Sequence, residues 1–129
     1  MWIKLYRAGA ATLIVLVALQ ALIAGQHIFG EWGIVMHGVI GNVVFTIALV
    51  MAAVAIFKLD SRTLVVVTVL MVILVSAQIG LGYSARESDS AAALHIPLGV
   101  ATFGALTYQL LAAWPGLIAR TTGEFTDPV

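Results

Sequence analysis

Met36-His37-Gly38-Val39-Ile40-Gly41-Asn42 and Leu94-His95-Ile96-Pro97-Leu98-Gly99-Val100 are two versions of one pattern, a histidine with a glycine four residues later at the head of an apolar run. The offset between them is 95 − 37 = 58 residues, and it also carries Gln20 onto Gln78, Phe45 onto Phe103 and Ile14-Val15-Leu16-Val17 onto Val72-Ile73-Leu74-Val75. A period of this length, holding two apolar runs, describes a two-helix unit used twice.

Composition sets the solvent. Hydrophobic residues make up 62% of the 129 positions, charged residues 9%, and the mean hydropathy is +1.11, whereas soluble domains are about a quarter charged. The expected fold is therefore an all-α integral membrane four-helix bundle, a single transmembrane domain over residues 1–129 built from two tandem two-helix repeats. The lipid bilayer is its first partner. A formal net charge of zero leaves no footprint for nucleic acid. With no cysteine in the chain, disulfides, thiolate metal sites, iron–sulfur clusters and covalently attached c-type haem are excluded.

The spans follow in order at about 5–25, 34–57, 63–83 and 91–114, each long enough for a hydrocarbon layer of about 30 Å. Residues 1–7 form a short amphipathic lead. A cleaved leader peptide would remove the repeat mate of Gln78, so the first apolar run is read as a permanent helix. The glycine-rich stretch 25–33 suits a turn at the membrane surface with Trp32 in the aromatic belt, and Lys58-Leu59-Asp60-Ser61-Arg62 is a tight polar turn. Pro97 removes one backbone hydrogen bond near the start of the fourth span, Pro115 closes that span, and residues 115–129 are a cytoplasmic tail. Lys4, Arg7, Lys58, Arg62 and Arg120 fall at one set of helix ends and Arg86 alone at the other. Basic residues concentrate on the cytoplasmic side, so the chain is expected in the cell (plasma) membrane, multi-pass, with both termini cytoplasmic. His37 and His95 then lie at similar depth near the outer face, with Gln20 and Gln78 close by.

Two neutral imidazoles on parallel helices at equal depth can approach one iron from opposite sides, and a glycine one turn along each helix leaves space for a flat macrocycle. The expected cofactor is haem b, with His37 and His95 on the iron and Gly41 and Gly99 beside it. Gln20 and Gln78 can hydrogen-bond a propionate, a quinone carbonyl or each other, and Arg86, the one basic side chain on that side, can pair with a propionate or be held in a solvated loop by Glu31, Glu87 and Asp89. The competing reading treats each histidine and glycine as interhelical packing and each glutamine as polar glue. His27 has no repeat mate, its equivalent being Ala85, and reads as an interfacial polar residue. Phe45, Phe103, Trp32 and Tyr83 read as packing and belt residues.

At these residues, over about positions 13–111, the chain resembles one half of a haem A synthase, or a short four-span relative of it. The shared features are glutamine-plus-glycine ends on the odd helices (Gln20 to Gly25, and Gln78-Ile79-Gly80-Leu81-Gly82) and histidine starts on the even ones. The resemblance implies that His37 and His95 are haem ligands. The family's catalytic half has a glutamate three residues before the second-helix histidine and an arginine just after it, and this chain has Ile34 and Gly38 there. The resemblance thus implies the fold more than the oxidation of haem, and enzyme activity stays undecided, with Glu31 and His27 the nearest proton-handling groups.

Three functions remain. One is a small b-type cytochrome in electron transfer or haem handling at the outer face, with a quinone or a respiratory membrane complex as partner. Another is an enzyme acting on haem. The third is a cofactor-free accessory or assembly subunit of a larger membrane complex. Four spans also leave room for a homodimer equivalent to an eight-span protein.

Overall fold

The computed structural model describes residues 1–30 and 34–114. The expectations attached to Glu31, Trp32, Pro115 and the tail 115–129 lie outside the described residues. The described chain is four helices, α1 (Trp2–Ile28), α2 (Val35–Lys58), α3 (Arg62–Ser84) and α4 (Asp89–Ala112), and each is long and apolar enough to cross a membrane.

The boundaries have local causes. Nothing between Trp2 and Arg7 breaks a helix, so the lead is the first turn and a half of α1 rather than a separate segment. α1 ends at Phe29, and Gly30 follows at φ +81°, a left-handed conformation that favours glycine. Gly30 N–H bonds back to the His27 carbonyl at 3.0 Å. α3 and α4 both start on serine caps. Ser61 Oγ accepts from Leu64 N–H and Ser88 Oγ from Ala91 N–H, each at 3.4 Å. The second cap explains why α4 begins at Asp89, two residues before the apolar run. α4 continues through Pro97, its ninth residue, without a break; the proline gives up one backbone bond, which membrane-spanning helices tolerate.

Helices adjacent in sequence pack side by side, and α4 closes the ring against α1. The result is an up-down-up-down bundle in which α2 and α4 face each other across a diagonal. The start of α1 and the end of α4 lie at one end, with the α2–α3 turn. The other end carries the end of α1, the α3–α4 turn and the starts of α2 and α4.

The interior is unevenly filled. Towards the terminal end it holds Tyr6, Ala10, Leu13, Ala48, Met51, Val54, Ala55, Leu64, Met71 and Leu106. In the other half the buried apolar residues among those described are Ile23, Ile40, Val44, Val75 and Ala91. Between Ala91 and Thr102 on α4, and beyond Val75 on α3, no described residue is fully buried. Large apolar side chains such as Val100 and Phe57 point outward, as expected where the surroundings are acyl chains and no hydrophobic drive pushes them inward.

Arg7 ties the closing seam at the terminal end. Its Nε donates to the Ala113 carbonyl at 2.8 Å, and its guanidinium lies 4.8 Å from the Trp114 ring centroid. Lys58 Nζ lies 5.4 Å from the Trp2 ring centroid. These long side chains cover aromatic rings at the ends of the spans.

Candidate functional site

His37 is the third residue of α2 and His95 the seventh of α4. Because these helices run in the same direction on the diagonal, the two side chains meet inside the bundle. The imidazole centroids are 6.1 Å apart and the ring planes cross at 72°. Both rings are half-buried, in the half of the bundle where apolar packing is sparse.

The equivalent glutamines stand beside the histidines and make opposite use of the same pairing. The Gln20 carbonyl lies 3.2 Å from His37 Nδ1. A carbonyl only accepts, so Nδ1 carries the proton and in the neutral ring Nε2 keeps its lone pair. On the other side the Gln78 side-chain amide donates to the His95 carbonyl at 3.1 Å. His95 Nδ1 and Gln20 Oε1 are buried without a hydrogen-bond partner. The site therefore has one imidazole fixed through a backbone carbonyl and one whose buried Nδ1 lacks a hydrogen-bond partner.

The glycines shape this packing. A Cβ on Gly41 would lie 3.0 Å from Gln20 Nε2, and one on Gly99 would lie 3.6 Å from Gln78 Nε2. At Gly99 that contact would be an ordinary one, but Gly41 makes room for a glutamine amide on the neighbouring helix. Gly82 does the same for a histidine, since a Cβ there would come within 3.2 Å of His95 Cε1.

Of the residues singled out from sequence, His37, His95, Gln20, Gln78, Gly41 and Gly99 come together. Arg86 does not join them. It is exposed in the turn after α3, with its guanidinium 5.0 Å from the Tyr83 ring centroid. His27 is exposed in the last turn of α1, Phe45 packs against the core, and Phe103 and Tyr83 face outward. Among the described residues no group of three or more metal-binding side chains forms, so a metal ion here would rest on the histidine pair alone.

A second polar cluster, unanticipated from sequence, lies near the terminal end. Tyr6 Oη bonds Thr68 Oγ1, and Gln109 Nε2 donates to Tyr6 Oη at 2.9 Å and to Thr68 Oγ1 at 3.3 Å. Thr68 Oγ1 in turn donates to the Leu64 carbonyl at 2.6 Å. The three side chains are almost wholly buried and join α1, α3 and α4, while Gln109 Oε1 is buried without a partner. The signal was available as a break in the repeat, because the 58-residue offset places Gln109 on Met51, Thr68 on Ala10 and Tyr6 on Leu64.

Compared with protein families, curated proteins and solved structures, the chain matches none. What defines its class is the site itself, a histidine pair across the diagonal of a four-helix bundle of membrane-spanning length.

Proposed function

We propose that the chain is a small b-type haem protein of the cell membrane, with both termini cytoplasmic and His37 and His95 as axial ligands near the outer face. The observation that carries this reading is the separation of the two rings. Imidazoles on opposite sides of one iron, with a metal–nitrogen bond of about 2 Å and a ring radius of about 1 Å, have centroids about 6 Å apart. The separation here is 6.1 Å.

The surroundings are consistent with that role. His37 Nδ1–H on the Gln20 carbonyl orients the ring and raises the basicity of Nε2, the usual arrangement behind a metal-bound imidazole. His95 Nδ1, buried without a hydrogen-bond partner, would supply the second nitrogen donor. The Gln20 and Gln78 amides are the polar groups nearest the histidines and would hydrogen-bond the edge of the macrocycle. A bound haem supplies one-electron exchange between its ferrous and ferric states. With His37 and His95 both holding the group, no axial position would be left open, and that would favour electron transfer over reaction with small ligands. A quinol or a respiratory membrane complex would be the electron partner, and two associated copies would bring two such centres into one assembly.

Resemblance to one half of a haem A synthase agrees with this placement of ligands, but Ile34 and Gly38 provide no acid or base beside His37. Electron transfer or haem handling is therefore favoured over oxidation of haem. A cofactor-free accessory subunit is the second reading. It draws on the two direct bonds, His37 to Gln20 and Gln78 to His95, which join neighbouring helices without any ligand. The deciding experiment is a reduced-minus-oxidised absorbance spectrum of the detergent-purified protein. Haem ligation predicts a low-spin six-coordinate spectrum that is lost in His37→Ala and His95→Ala variants that still fold. The accessory reading predicts a folded, colourless protein.

A further inference from the structure

Asn42 is the eighth residue of α2, about 10 Å along the helix from its start, and its side chain is exposed. A helix of this length places that position inside the hydrocarbon layer, and asparagine is too short to reach the headgroups from there. Three exposed hydroxyls on the spans are satisfied by their own helix, while Thr12 on α1 is exposed without such a bond among the described residues. Thr46 donates to the Asn42 carbonyl, Ser76 to the Val72 carbonyl and Thr107 to the Phe103 carbonyl, at 2.9, 2.7 and 2.9 Å. The Asn42 carboxamide has no such bond among the described residues. It lines a shallow outward groove of about 370 Å³ formed by Val39, Asn42, Val43, Thr46 and Ile47. The repeat mate of Asn42 on α4 is Val100, so the polar group marks one outer face and not its counterpart.

An amide facing acyl chains with neither donor nor acceptor used is costly, and pairing it across helices removes that cost. We propose that the α2 face around Asn42 packs against the same face of a second copy of this chain, across a two-fold axis normal to the membrane, with the two Asn42 amides bonded to each other. A second copy is the occupant that fits, for two reasons. A carboxamide is self-complementary, carrying donor and acceptor together, and an isologous two-fold contact sets each residue against itself. A copy inserted in the same orientation also presents its Asn42 at the same depth, which an unrelated helix does only by coincidence. The inference is independent of haem, since it rests on the outer face of α2 and not on the histidine pair.

The chain lacks cysteine, so single cysteines report the contact directly. Val39→Cys, Val43→Cys and Thr46→Cys, each with Asn42 intact, should form disulfide-linked homodimers on mild oxidation in membranes, and Val100→Cys should stay monomeric. Energy transfer between labelled copies in bilayers should show association weakened about threefold to thirtyfold by Asn42→Leu and restored by Asn42→Gln. Equal cross-linking at Val100→Cys, cross-links from the α2 positions to a chain of different mass, or association unchanged by Asn42→Leu would each overturn the proposal.

Discussion

The buried cluster of Tyr6, Thr68 and Gln109 gives a prediction in which two conservative changes separate. Tyr6→Phe removes the hydroxyl that donates to Thr68 and accepts from Gln109 at 2.9 Å. It leaves Gln109 Nε2 with only the 3.3 Å bond to Thr68, and leaves Gln109 Oε1 as unpartnered as before. Two interhelical bonds are lost and a buried donor is under-satisfied, so the cost should be about 1–2 kcal/mol, given about 0.6 kcal/mol for an average bond in a membrane bundle and more where a group is orphaned. Gln109→Leu behaves differently. It removes two bonds but takes both of its own polar ends with it, including the one that had no partner. Tyr6 still donates to Thr68, and Thr68 still donates to Leu64. No orphan is created and one is removed, so the cost should stay below about 0.5 kcal/mol or reverse in sign. The assay is unfolding free energy in bicelles by steric trapping, with both variants compared to the parent chain. Gln109→Leu as destabilising as Tyr6→Phe would refute the assignment of the cluster as a satisfied hydroxyl pair carrying a poorly satisfied amide.

Other outcomes follow from close contacts. Gly9→Ala brings a Cβ within 2.9 Å of Met51 Sδ in the core, and the overpacking, softened by the flexible thioether, should cost about 1 kcal/mol in the same unfolding assay. Gly104→Ala meets nothing within 4 Å, and in a helix interior it should be neutral or stabilising by up to about 1 kcal/mol. Gly82→Val pushes on the His95 ring, whereas Gly80→Val has nothing within 4 Å of its Cβ. If the histidine pair holds haem as proposed, haem content measured by pyridine haemochrome should therefore fall in the first variant and hold in the second. Arg7→Ala loses the bond to the Ala113 carbonyl and the Trp114 contact, and should loosen the α1–α4 seam by about 1–2 kcal/mol, seen as faster amide exchange at the end of α4.

Helix number and spans are legible in the sequence because lipid demands long apolar segments punctuated by polar turns, as at Lys58 to Arg62. The meeting of His37 with His95 is legible from depth alone, since two parallel helices carry equivalent residues to one level. Which faces turn inward is much less so. In water a buried stripe stands out against a polar surface, but here Leu106 at 0% exposure and Val100 at 72% are equally apolar. The role of Gly41 and Gly99 is only half legible: the spacing suggests that space is needed at both, and the structure shows a close approach at Gly41 alone, where the Gln20 amide uses it. The Tyr6–Thr68–Gln109 cluster escapes a reading that follows what the repeat keeps, because it is built from positions where the repeat changes. Arg86 looks available to the site from its place in the chain, yet the turn after α3 sets it over Tyr83.

The most direct measurement is haem per chain, by pyridine haemochrome on protein purified in detergent, read alongside the reduced-minus-oxidised spectrum. Axial ligation by His37 and His95 predicts about one b-type haem per chain in a low-spin, six-coordinate state. A folded, colourless protein that also fails to take up added haem would contradict it and leave the histidine pair as an interhelical contact.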